Sequence, residues 1–287
     1  MKPIRSVAVF PAMFTLGNLV CGFFAIVAAA RVELPTQADP PATYERVMKD
    51  FDSTDENHNL LLCGWLIFLA MVFDALDGHV ARLARAPTEF GAQLDSMADM
   101  VTFGVAPAFL LVKMCHRFTF LHVDHTIQPV WLIAATYAAC VALRLARFNV
   151  ESDEDDDHMQ FNGLPSPAAA GAVAGFAILF YYLRLEDTRI PAAARIDTVV
   201  QMALPFYGLL LAVLMVSRIP YPHVVNQVFR GQRSFGHVVA LVLGLLVVMA
   251  VREVAVPVLF LLFVLAPPAW HLWHRVRQRQ ADREPLF

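Results

Sequence analysis

Charge is what this sequence of 287 residues has least of: Asp, Glu, Lys and Arg together make up 16%, against about 25% in soluble globular domains. That shortage, beside a 58% hydrophobic fraction, excludes disorder and an ordinary soluble enzyme. The net charge of −3 supplies no field that would recruit nucleic acid. Cysteine is sparse as well. Cys21, Cys63, Cys115 and Cys140 are scattered along apolar stretches and never form a CxxC pair, which excludes a disulfide scaffold and a zinc site of the usual spacing. They read as small buried hydrophobes. No internal repeat is present, so an inverted-repeat transporter gains no support. The first apolar block is expected to stay as a mature helix and not to be a cleaved leader, because it is long, contains Pro11 and Gly17, and has no small-residue cleavage pattern before Arg31.

What is abundant is long apolar runs. They fall at about 8–30, 60–80, 91–114, 130–148, 167–183, 199–217, 236–251 and 254–270, most of them long enough to cross a bilayer as helices. Backbone polar groups in lipid must be satisfied internally, so an all-α polytopic membrane protein is expected, with about eight spans and both termini on one side. The last two runs are short and meet at Arg252-Glu253, which also allows a tilted or re-entrant hairpin. A modest excess of Lys and Arg on the N-terminal side predicts that this side is cytoplasmic. Trp131 and Trp270 are expected interface anchors. The acidic run Glu151–Asp157 reads as a solvated connector. The basic stretch after Trp270 (His271, His274, Arg275, Arg277, Arg279) reads as a juxtamembrane anchor to anionic lipid.

The chemistry is concentrated between Phe73 and Phe103. Asp74 and Asp77 are spaced i,i+3, and Asp95 and Asp99 are spaced i,i+4, so each pair shares a helix face. Pro87 marks a turn between the two helices and lets the pairs face one another. Four carboxylates brought together repel: two like charges about 4 Å apart cost on the order of 4 kcal/mol at an effective dielectric near 20. Hard divalent cations offset such a cost, and with no His or Cys at matching spacing the candidates are Mg2+ or Mn2+. Four carboxylates suffice for two ions, an arrangement that clamps a phosphoryl centre during in-line displacement. The neighbours suit a nucleotide diphosphate. Gly78 and Ala81 lack bulk, Arg82 offers a fork of donors, and Gly91 opens the facing helix. His79 lies inside the same stretch and reads as interfacial.

The ordered string D-x2-D-G-x2-A-R-x8-G-x3-D-x3-D, running from Asp74 to Asp99, resembles the signature of the CDP-alcohol phosphatidyltransferase family at every position. FTLGNLVCGFFAI at 14–26, FGAQLDSMADMVTFGVAPAFL at 90–110, LRLARFNV at 143–150 and GLPSPAAAG at 163–171 are similar to its membrane-spanning, serine-using bacterial branch, over roughly residues 3–218. The resemblance implies a six-helix catalytic core over 1–218, with 219–287 as a C-terminal helical hairpin and basic tail. It further implies a homodimer in the cytoplasmic membrane with its active site facing the cytoplasm. Asp74, Asp77, Asp95 and Asp99 would hold two divalent cations, Asp99 would act as general base, and Asp77, Gly78, Ala81, Arg82 and Gly91 would surround the CDP moiety.

The implied reaction moves the phosphatidyl group from CDP-diacylglycerol to L-serine, giving phosphatidylserine and CMP by two-metal-assisted direct displacement. Choline, inositol or glycerol phosphate remain alternative acceptors. From another class, a divalent-cation transporter would use the acidic cluster but leave Gly78, Ala81, Arg82 and Gly91 unexplained. Arginines inside a span are expensive and mark a site unless they snorkel to the interface. Arg144 and Arg147 are therefore acceptor-site candidates, with Asn149 and Ser166 flanking the next loop. Either arginine suits the acceptor carboxylate or a lipid-linked phosphate. Thr15 and Asn18, on the first span, are candidates for the nucleotide or for interhelical hydrogen bonds.

Overall fold

A computed structural model describes residues 9–32, 54–83, 89–115, 129–151, 163–185, 192–221 and 252–281. Among these it holds seven helical segments long and apolar enough to cross a membrane. They are α1 (Val9–Ala30), α2 (Thr54–Leu83), a third span made of α3 (Glu89–Asp99), a π-turn (Met100–Val105) and α4 (Ala106–Met114), then α5 (Pro129–Glu151), α6 (Ser166–Leu183), α7 (Ala193–Val216) and α8 (Arg252–Ala281). The apolar run 236–251, Pro87 and the acidic residues 152–157 lie outside the described residues.

Helix α6 is the axle of the bundle. Its first half reads Ser-Pro-Ala-Ala-Ala-Gly-Ala-Val-Ala-Gly, and most of its residues are buried. Small side chains let neighbouring helices approach closely where lipid removes any hydrophobic reward for packing. Helices α2, α4, α7 and α8 and the π-turn all contact it. At Gly171 an added Cβ would fall 2.5 Å from the Phe260 ring, and at Gly175 3.2 Å from the Pro257 Cα. Residue numbers fall along α8 as they rise along α6, so the two helices run antiparallel. Helix α8 therefore starts at the end of the bundle where α6 stops. The Tyr221 hydroxyl, just past α7, donates to the Val264 carbonyl at 3.0 Å and ties α8 to the other end. The stretch after Trp270 continues as helix to Ala281.

Outward faces carry large exposed apolar side chains, among them Phe23, Trp65, Leu132, Phe206 and Leu262. That is the expected inversion for a protein whose solvent is lipid. The expected anchors Trp131 and Trp270 are both exposed, one near the start of α5 and one beyond the middle of α8. Arg277 lies 5.6 Å from the Trp273 ring centre.

The π-turn has a local cause. Pro107 has no N–H for the carbonyl four residues back, that of Phe103, and its ring crowds the same oxygen. The chain widens ahead of the proline: the Ala106 N–H reaches the Val101 carbonyl, five residues back. Local π adjustments and side chains from neighbouring helices commonly re-satisfy backbone groups freed by a proline inside a membrane. Left unpaired, such a carbonyl costs on the order of 2–7 kcal/mol.

Candidate active site

The aspartates lie at one end of the bundle, where α2 finishes and α3 begins. Oxygens of Asp74, Asp95 and Asp99 lie within 4.8 Å of one another, so the two helices bring their acidic faces together as their spacing requires. Asp77 is adjacent, within hydrogen-bonding reach of Asp95. Asp77 and Asp99 are buried, Asp74 and Asp95 half-buried. Each carboxylate is in the field of the others; Asp99 is repelled by Asp74, Asp95 and Asp77.

Helix α1 holds two of the four. Thr15 Oγ1 donates to Asp77 Oδ2 at 2.5 Å, and Asn18 Nδ2 donates to Asp99 Oδ1 at 3.0 Å. The structure thus puts both α1 residues on carboxylates of the cluster, the interhelical hydrogen-bonding alternative. Such bonds fix the direction of the oxygens left over, the usual service of groups that back a set of metal ligands.

The donor set fits a hard divalent cation. It is all carboxylate oxygen, and Asp95 Oδ1 is buried with no hydrogen-bond partner among the described residues, a lone pair open to a ligand. At Gly78 an added Cβ would meet nothing within 4 Å among the described residues. Gly91 lies on α3 one turn before Asp95. Ala81 and Arg82 belong to α2, but their side chains lie outside the described residues.

The fifth helix supplies the cation. Arg144 attracts Asp99 and Asp74, its NH1 nitrogen donates to Ser166 Oγ at 2.8 Å, and its Nε is buried without a partner among the described residues. Ser166, 1% exposed at the start of α6, therefore orients the guanidinium. Asn149 Nδ2 donates to Ser96 Oγ at 3.0 Å, which joins the end of α5 to α3 beside Asp95. Arg147 is one turn beyond Arg144 and half-buried. Sequence reasoning missed Ser96, whose partner is 53 residues away. It also missed the structural role of Gly163. This residue adopts φ +96°, and its N–H donates to the Ile219 carbonyl at 2.9 Å while Leu164 N–H donates to Leu214 at 3.0 Å. That strap sets the start of α6 and with it Ser166.

A helical membrane bundle with acidic pairs on two consecutive spans, an arginine facing them and open space beside the glycine of the motif is the architecture of an enzyme handling a phosphorylated lipid at one membrane face. The sequence profile of the CDP-alcohol phosphatidyltransferase family matches residues 8–216, and the chain belongs to that family. Helix α8 lies beyond the matched region. The chain is 28% identical over 227 residues to the CDP-diacylglycerol–serine O-phosphatidyltransferase of Helicobacter pylori strain J99, covering 77% of this chain and 75% of the relative. To the protein of the same name from Bacillus subtilis strain 168 it is 31% identical over 214 residues, 74% of this chain and 89% of the relative. The archaetidylserine synthase of Methanothermobacter thermautotrophicus is 34% identical over 161 residues, 55% of this chain and 57% of that protein.

Proposed function

We propose that the chain transfers the phosphatidyl group of CDP-diacylglycerol to L-serine, releasing CMP, by direct displacement at the aspartate cluster. The observation that carries the reading is the meeting of Asp74, Asp95 and Asp99 within 4.8 Å inside the family's motif, together with relatives named for the serine reaction. Asp74, Asp95 and Asp99, with Asp77 beside them, are the residues that would hold two divalent cations, Mg2+ or Mn2+. Bound there, such ions neutralise the pyrophosphate and the charge that develops on the departing phosphate.

The protein's own groups do the rest. The acyl chains of the lipid stay in the membrane while its head group lies in the space before Gly78, between α2 and α3. Arg82 and Gly91 border the CDP moiety by their place in the motif. Arg144, oriented by Ser166, and Arg147 beyond it receive the serine carboxylate. Asp99 accepts the proton of the serine hydroxyl while Asn18 holds its Oδ1. The hydroxyl oxygen forms a bond to the phosphorus carrying diacylglycerol as the bond from that phosphorus to CMP breaks, so configuration at phosphorus inverts. The site end faces the cytoplasm of a bacterial inner membrane, in keeping with the basic residues at the end of α8. The homodimer implied by the family resemblance belongs to this reading.

Purified protein given CDP-diacylglycerol and serine, choline, inositol or glycerol phosphate in turn tests it. CMP and phosphatidylserine are expected with serine. Release with another acceptor in place of serine reassigns the substrate, and no release with any acceptor removes the proposal.

A further inference from the structure

The carbonyl that Pro107 deprives of its donor is met by a hydroxyl from another helix. Tyr137 of α5 donates to the Phe103 carbonyl at 3.2 Å, and both residues are fully buried. One residue earlier in the π-turn, Thr102 Oγ1 donates to the Asn18 carbonyl at 3.1 Å. Asn18 in turn gives its side-chain amide to Asp99. The turn is therefore pinned from two sides, by α5 and by α1, directly after the two carboxylates of α3. Gly22 permits the α1 pin: a Cβ there would come within 2.8 Å of the Thr102 Cα, so any side chain would push the two backbones apart.

The pins matter because of what a π-turn does to direction. One residue more in a turn rotates the helix before it against the helix after it by about 100°. Helix α4 is fixed in the core through Leu110, Leu111 and Met114, so the state of the turn decides where Asp95 and Asp99 point. Arg144 follows Tyr137 by seven residues, two helical turns on the same face of α5, so one helix both braces the turn and carries the guanidinium.

We infer that Tyr137 and Thr102 are positioning residues for the aspartate cluster: their hydroxyls hold the π-turn and through it the aim of Asp95 and Asp99. The inference rests on the reading of that cluster as a divalent-cation site. Both act through the turn; neither is a catalytic residue.

Mn2+ titrated into purified protein without substrate, with free Mn2+ followed by its paramagnetic resonance signal, tests the inference apart from turnover. Tyr137→Phe keeps the ring and loses the hydroxyl. Its Mn2+ affinity is expected to fall roughly tenfold, the low end for groups that back metal ligands. The Mn2+ needed for half-maximal CMP release rises in parallel, while the KM for CDP-diacylglycerol at saturating Mn2+ stays put. A tyrosine that served only to stabilise the fold would lower the melting midpoint and leave the affinity of folded protein intact, and that result overturns the inference. Pro107→Ala restores a backbone N–H for Phe103, so Tyr137→Phe should cost less affinity in that background; strict additivity overturns the link through the carbonyl. Where Tyr137→Phe yields no folded protein, Thr102→Val decides: weaker Mn2+ binding supports the inference and unchanged binding overturns it. Wild-type protein that binds no Mn2+ would instead sink the cation reading under Proposed function.

Discussion

At the end of the bundle away from the aspartates, Arg184 Nε donates to Asp197 Oδ1 at 3.0 Å with both side chains about nine-tenths buried. Gln201 Nε2 occupies the other Asp197 oxygen at 2.7 Å, and the guanidinium lies 4.8 Å from the Phe180 ring centre. Charge there is matched and both carboxylate oxygens are taken. At the aspartate end, among the described residues, four carboxylates share a space into which Arg144 brings a positive charge, and Asp95 keeps an oxygen without a partner. Burial is similar at the two ends, but the balance differs. A charge-matched cluster ties α6 to α7, whereas the other keeps an excess of negative charge among the described residues. Burial of polar groups alone does not mark a site; an unpaid imbalance does.

The comparison can be broken in four places. Chelation with EDTA should bring CMP release to background, and Mg2+ or Mn2+ should restore it; activity that survives exhaustive chelation would make the anionic end self-sufficient. Asp99→Asn should lower turnover by about 10²–10⁴-fold, the usual contribution of a general base, with CDP-diacylglycerol binding still measurable; normal turnover removes Asp99 from that role. Asp197→Leu leaves Arg184 buried without its partner and should destabilise the protein by about 3–5 kcal/mol, seen as a lower melting midpoint, with the metal requirement of folded protein unchanged. A shifted metal requirement would show that the two ends are coupled. Arg147→Ala should raise the KM for serine by roughly tenfold, as for a lost hydrogen bond to a charged group, and that for CDP-diacylglycerol by less. The reverse pattern moves Arg147 to the lipid side.

Much of this arrangement is legible in the sequence because it depends on local periodicity. Apolar run length places the spans, and the i,i+3 and i,i+4 intervals put Asp74 with Asp77 and Asp95 with Asp99 on single faces. What periodicity does not carry is which distant group meets which. Thr15 and Asn18 are visible as polar residues in an apolar helix, but their bonds to Asp77 and Asp99 span 62 and 81 positions. Pro107 is plain to see, yet its consequence is shared with Tyr137 from another helix. The four aspartates look equivalent in the string, and only packing separates the three that converge from Asp77, held by Thr15. Arg184, just past α6, meets its partner only because α7 brings Asp197 against it. Helix α8 runs past its apolar stretch because Arg and Gln are good helix formers even where lipid ends.

The seat of α8 on Gly171 and Gly175 has an architectural result. Those glycines form the spaced small-residue stripe by which membrane helices readily adhere to one another, and here the chain has spent it on itself. The stripe on α6 is thereby covered from within the chain and is not open to a second copy.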